Sequence, residues 1–225
     1  MKVAAIFDLD DTLLSDSSAK LIVKYMRSTG ELWRYFRRRD VLSAFASVTG
    51  WRLGLLDATQ ATARTAQMAA GIEVDAFWAL VRRWFNEMLI DSISPAARER
   101  LDWHRAQGHI PVICSASSQF SVQPVAQHLG IEHAVFTEWI AHQGLLTGKI
   151  RLPIAYGLGK VHWMENWAKV HDVNLADSYF YSDDASDRPL LERVGNPFAV
   201  NPTPRLARVA AQQAWPVLHW RASSP

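Results

Sequence analysis

Ala5-Ile6-Phe7-Asp8-Leu9-Asp10-Asp11-Thr12-Leu13-Leu14 is the stretch that decides the fold. The run from Val3 to Phe7 is short, unbroken and apolar, as in a strand buried on both faces of a parallel sheet. Asp8, Asp10 and the hydroxyl of Thr12 follow it directly. An open α/β sheet places its ligand crevice at the carboxyl ends of its strands, so both carboxylates are expected there. Held so close they repel, and a cation is the natural counter-charge. A carboxylate nucleophile beside a carboxylate acid/base at a Mg2+ site is the chemistry of phosphoryl transfer.

Outward from that strand, residues 17–91 read as helical. Segments 19–27, 31–48, 55–70 and 74–89 carry apolar residues at three- and four-residue spacing, with breaks at Gly30, Gly50 and Gly71. From Ser94 the pattern becomes alternating. Ser94 as N-cap and Pro95 at the first helical position open a helix to about Gln107. Residues 109–114 form a second buried strand, 119–129 a helix, and 134–140 with 145–150 flank His142-Gln143-Gly144 as a hairpin. A helix over 159–170, strands over 178–181 and 198–200, a helix over 204–213 and an extended piece over 215–220 complete the chain. The expected fold is α/β: a Rossmann-like, mostly parallel sheet core with an inserted α-helical bundle cap. Core residues are 1–15 and 92–225, and cap residues are 16–91.

The 225 residues, 49% hydrophobic and 20% charged, suit one large globular domain with an insertion and exclude wholesale disorder. A formal net charge of +2 is too small to imply a polyanion partner. The single cysteine, Cys114, excludes an intramolecular disulfide and reads as a buried thiol. No uncharged stretch approaches the ~20 residues of a membrane span, and Asp8, Asp10 and Asp11 interrupt any signal-peptide core. A cytoplasmic location is expected, with no membrane and no nucleic-acid partner. The eight histidines show no HExxH-like spacing.

Three further features fall after strands or at helix starts. Ser115-Ala116-Ser117-Ser118 follows the second strand, where small residues let backbone N–H groups approach an anion. Lys160 follows Gly157-Leu158-Gly159 at a helix start, within reach of a phosphate oxygen. Asp183-Asp184-Ala185-Ser186-Asp187 offers three carboxylates in five residues, suited to a hard cation. Singly, each reads as a turn hydroxyl, a solvated lysine or an acidic turn. Order and position raise them together.

At these residues the chain resembles the haloacid-dehalogenase superfamily of phosphohydrolases. Asp8-Leu9-Asp10-Asp11-Thr12 looks like its DxDx[TV] motif, Ser115 its Ser/Thr motif, Lys160 its lysine motif and Asp183–Asp187 its acidic loop. The helical insert looks like the phosphoserine-phosphatase subgroup, and the ending from Val200-Asn201-Pro202 like a branch that includes histidinol-phosphate enzymes. The resemblance implies that Asp8 attacks phosphorus and Asp10 acts as acid and then base. It implies a Mg2+ cofactor held by Asp8, the backbone carbonyl of Asp10, and Asp183. Ser115, Ala116 and Lys160 would bind the phosphoryl group, with Thr12, Asp184 and Asp187 in support around them. Asp184 and Ser186 depart from the phosphoserine-type loop, which usually has Gly and often Asn there. A carboxylate at position 10 favours a phosphatase over a dehalogenase or a P-type ATPase.

The expected substrate is a small phosphorylated metabolite. Phosphoserine-type enzymes carry a cap Glu near where Ser17 stands, which turns the single best guess toward histidinol phosphate, with phosphoserine or another small phosphomonoester as the alternative. The basic, aromatic stretch Glu31-Leu32-Trp33-Arg34-Tyr35-Phe36-Arg37-Arg38-Arg39 reads first as a solvated cap helix with Arg34, Arg37 and Arg38 on one face. Its rival reading is a non-catalytic module that binds anions through this helix.

Overall fold

The computed structural model describes residues 1–52 and 54–220. The apolar run forms β1 (Ala4–Phe7), buried at all four positions. It is central in a six-stranded sheet whose other members are β2 (Ile110–Ser118), β3 (His133–Thr137), β6 (Tyr179–Ser182), β7 (Asn196–Val200) and β8 (Val217–Leu218). Their order is β3-β2-β1-β6-β7-β8, and every pairing is parallel. Alternation sends Ala5 and Phe7 into one core and Ala4 and Ile6 into the other, so both faces of the sheet are covered.

Helices α6 (Pro95–Ala106), α7 (Gln119–His128), α8 (Leu158–His171), α9 (Arg188–Leu191) and α10 (Pro204–Gln213) connect the strands. Ser94 Oγ accepts from Ala97 N at 3.3 Å, so α6 starts with the cap read from the sequence. On the Phe7 face lies an aromatic layer. Phe7 stacks on Tyr181 and Tyr181 on Phe198, each with centroids 4.9 Å apart. Fully buried His104 ties this layer together, with Nε2 2.9 Å from the Tyr181 hydroxyl and Nδ1 2.8 Å from His109 Nδ1. Burial, reinforced by His109 and Arg100, pushes the His104 pKa down to about 3.

Between β1 and α6 lie α1 (Ser18–Ser28), α2 (Leu32–Tyr35), α3 (Arg38–Arg52), α4 (Ala58–Gln67) and α5 (Val74–Trp84). From α5 the chain continues through a wide turn (Phe85–Leu89) and a tight one (Ile90–Ser92). Three sequence expectations change here. The helix expected over 31–48 is two helices, because Phe36 buries its ring and takes an extended backbone (φ −126°, ψ 140°). Arg37 falls in that break, so Arg34, Arg37 and Arg38 do not share one continuous helix. Gly50 lies inside α3 rather than at a break, at the ~1 kcal/mol that an interior glycine costs.

The expected first hairpin arm also divides. Its early part is β3, an edge of the main sheet. Only β4 (Trp139–His142) pairs antiparallel with β5 (Leu145–Ile150), across a turn with Gln143 and Gly144 at φ 49° and 78°. This hairpin holds the helical segment. Gly71 N donates to Leu146 O at 2.8 Å and Leu146 N to Ile72 O at 2.9 Å. Gly148 (φ 73°) sits so close that a Cβ there would lie 2.9 Å from the Ala70 side chain.

Candidate active site

Asp8 leaves the end of β1 with its N–H donating to Tyr181 O at 2.9 Å, so sheet pairing itself fixes its position. The next five residues form a wide turn in which Asp11 is left-handed (φ 56°). That turn aims the Asp10 carboxylate at two separate elements. Oδ1 accepts from Ser18 N, the first residue of α1, at 2.5 Å, and Oδ2 accepts from Ser117 Oγ at 2.7 Å. Asp10 thus links the end of β2 to the start of the helical segment, where the helix N-terminus favours a carboxylate.

Lys160 enters from α8. A side chain at Gly159 is impossible without rearrangement, because its Cβ would lie 1.9 Å from Ile154 O. Lys160 is 2% exposed, and its Nζ donates to Asp8 Oδ1 at 2.7 Å and to Asp187 Oδ2 at 2.6 Å. Ser182 Oγ donates to the same Asp187 oxygen at 2.7 Å. Burial lowers the ammonium's pKa, but Asp187 and Asp8 outweigh it and hold Lys160 above its ordinary value. Burial pushes the Asp8 pKa up to about 7 against the lowering by Lys160, with Asp187 and Asp10 adding to the rise.

Asp183 directly follows the neighbouring strand β6. Burial, with Asp8, Asp11, Asp184 and Asp187 acting in the same direction, raises its pKa to about 9. This is an excess of negative charge on hard oxygen donors, which suits a divalent oxygen-liganded cation. Among the described residues no three His, Cys, Asp or Glu side chains form a ready metal cage. A cation would therefore draw on Asp8, Asp183 and a backbone oxygen such as that of Asp10, whose carboxylate is engaged elsewhere.

The remaining expected residues are placed as follows. Ser115 is buried, with Oγ accepting from Ser117 N at 3.2 Å. Ser115, Ala116, Ser117 and Ser118 belong to β2 itself, not to a loop after it, and the register with β3 shifts between Cys114 and Ser118. Ser117 Oγ reaches the Asp10 carboxylate from within this irregular stretch. Thr12 is fully buried, and its Oγ1 has no hydrogen-bond partner. Asp184 Oδ1 accepts from Ser186 N at 2.8 Å, which closes the turn carrying Asp187.

The haloacid dehalogenase-like hydrolase model matches residues 5–192, spanning all four motifs. The chain belongs to that family. This hydrolase is 34% identical over 224 residues to a probable phosphatase of Mycobacterium tuberculosis, which covers 96% of the chain and 75% of the relative. It is 28% identical over 229 residues to the histidinol-phosphatase of Neisseria meningitidis, covering 98% of the chain and 100% of that enzyme. A crystal structure of a protein of unknown function from Bordetella pertussis Tohama I superposes with a TM-score of 0.87 at 28% identity, covering 97% and 98% of the two chains. The hydrolase is a phosphatase.

Four site neighbours escaped the sequence reading. Ser18 and Ser117 hold Asp10, and Ser182 holds Asp187. Asn201, left-handed at φ 43°, donates from Nδ2 to Asp11 O at 3.2 Å and accepts from Trp220 N at 2.8 Å. Serines carry no signal of this kind in a single sequence. Asn201 gave one, since Asn is among the few residues that adopt the left-handed region readily.

Proposed function

We propose that this phosphatase is a Mg2+-dependent phosphomonoesterase that works through an aspartyl-phosphate on Asp8. The observation that carries the reading is the buried Lys160 bridge between Asp8 and Asp187, set beside an Asp10 carboxyl held at both oxygens. Lys160 fixes Asp8 Oδ1, which leaves Oδ2 as the attacking atom. As the Oδ2–P bond forms, the bond from phosphorus to the ester oxygen breaks, and Asp10 delivers its proton to the departing alkoxide. Asp10 then takes a proton from water, whose oxygen attacks phosphorus, releases phosphate and restores Asp8. Ser115, the Ala116 N–H and Lys160 hold the phosphoryl oxygens during both displacements.

A bound Mg2+, held by Asp8, the Asp10 carbonyl and Asp183, would offset the crowded carboxylates and draw charge from the phosphoryl oxygens. Thr12, Asp184 and Asp187 support these groups from behind. Residues 16–91 act as a cap over a core of residues 1–15 and 92–225, excluding water and selecting the leaving group.

The substrate is a small phosphorylated metabolite, and histidinol phosphate is the reading preferred here. The histidinol-phosphatase likeness over the whole chain supports it. So does the region of Ser17, where the adjacent Asp16 carboxylate is already engaged by Ser17 N at 2.7 Å and Lys20 Nζ at 3.2 Å. It is no ready substitute for the cap Glu of phosphoserine-type enzymes. Purified protein with Mg2+ is expected to release phosphate from p-nitrophenyl phosphate and fastest from histidinol phosphate among phosphorylated metabolites. Asp8→Asn is expected to lower the rate by roughly 10^4 or more. Wild-type protein inert across several metals and a broad ester panel would overturn the mechanism, and faster turnover of phosphoserine would overturn the substrate.

A further inference from the structure

The basic, aromatic stretch read from the sequence is not absorbed by the active site. Trp33, Leu42 and Phe45 are 54%, 67% and 72% exposed. Arg38, Leu42 and Phe45 follow one another at four- and three-residue spacing, so they share one face of α3. Ala44 and Ser47 on its other side are buried, and Arg64 donates to Ser47 Oγ from the neighbouring α4 at 3.3 Å. α3 therefore carries apolar groups on both sides, and the fold covers one. Arg34 on α2, Arg37 in the break, and Arg38 and Arg39 in the first turn of α3 are all exposed, with the Arg38 guanidinium 5.5 Å from the Trp33 ring centroid. Among the described residues their one ion-pair partner is Asp40, in a 3.5 Å contact with Arg39.

We propose that the α2–α3 elbow is a docking surface for an anionic lipid bilayer. Apolar side chains ringed by arginines are what an interfacial helix presents: the rings and Leu42 enter the headgroup boundary while the guanidinium groups meet lipid phosphates. A second copy of the chain is disfavoured by charge. A two-fold contact through this face would press two sets of four arginines together. A nucleic acid would engage the arginines but gives exposed Leu42 nothing to do. On sequence alone this helix stands as an anion-binding rival, but no membrane partner is expected, because the sequence contains no spanning stretch. Surface docking needs none, and the exposure of Leu42 and Phe45 is visible only in the folded chain.

The test is co-sedimentation of the intact protein with vesicles of phosphatidylcholine alone and of equal parts phosphatidylcholine and phosphatidylglycerol. The protein is expected to pellet with the mixed vesicles only. Arg37→Gln, Arg38→Gln and Arg39→Gln together are expected to weaken partitioning roughly a hundredfold. Leu42→Ser with Phe45→Ser is expected to weaken it about tenfold. Both sets are expected to keep the wild-type melting temperature to within a few degrees, which certifies the fold. Three results overturn the proposal: no pelleting with either vesicle, unchanged binding by the Leu42→Ser, Phe45→Ser variant, or a wild-type dimer that this variant converts to monomer.

Discussion

The crevice at the head of β1 and the elbow between α2 and α3 both concentrate charge, and they treat it in opposite ways. In the crevice Asp8, Asp10, Lys160 and Asp187 are locked by hydrogen bonds of 2.5 to 2.7 Å. At the elbow four arginines stand in water, and their one ion pair among the described residues, Arg39 to Asp40, has side chains 75% and 38% exposed. Burying ions costs desolvation that pairing only partly returns, so a buried set of this kind is explained by preorganised chemistry rather than by stability. Exposed arginines contribute little to stability either, so their clustering also calls for a reason outside folding.

The comparison can be broken most directly at Lys160. Lys160→Met strands two buried carboxylates, and denaturant unfolding is expected to show a loss of about 3–5 kcal/mol. A loss below about 1 kcal/mol would mean that the crevice ions are as dispensable as the surface ones.

His104 sharpens the contrast as a buried titratable group kept neutral instead of paired. Its folded pKa of about 3 lies below the ordinary 6.5, so between these values the unfolded chain binds the extra proton. Its contribution is complete above pH 6.5 and drains away as pH falls toward 3. Melting temperatures between pH 7 and 4 are expected to drop, and His104→Gln to flatten that drop. An unaltered acid slope would assign it to other groups.

Asn201→Ala removes the side chain that holds the Asp11 carbonyl and with it the turn carrying Asp10. The Mg2+ dissociation constant by calorimetry is expected to rise about tenfold, and unchanged Mg2+ affinity would end that reading. The smallest effect belongs to the elbow. Phe45→Ala is expected to change stability by no more than about 0.5 kcal/mol, and a larger loss would show that the uncovered face of α3 packs against the protein itself.

Local chemistry made much of this molecule legible. The apolar run before Asp8, the Ser94-Pro95 helix start and the span of α10 each depend on neighbours a few residues away. The four motifs were readable because each lies near the end of a recognisable strand or opens a recognisable helix. What could not be read joins distant positions. Ser117 meets Asp10 across 107 residues, and Asn201 meets Asp11 across 190. The break at Phe36 was hidden for the same reason. Spacing within 31–48 suits one helix, and only a core able to take the Phe36 ring turns the backbone there. The uncovered face of α3 was likewise unreadable, since periodicity marks apolar faces without saying which will be covered.

Asn201 also grips Trp220 N, and the Trp220 carbonyl accepts from Ser94 Oγ at 3.1 Å, while Ser94 N donates to Leu13 O at 2.9 Å. The loop bearing the first motif is thus clasped by Trp220, just beyond the edge strand β8. Unseating that edge strand would release Asn201 and Ser94 together, and so loosen the first-motif loop from outside the crevice.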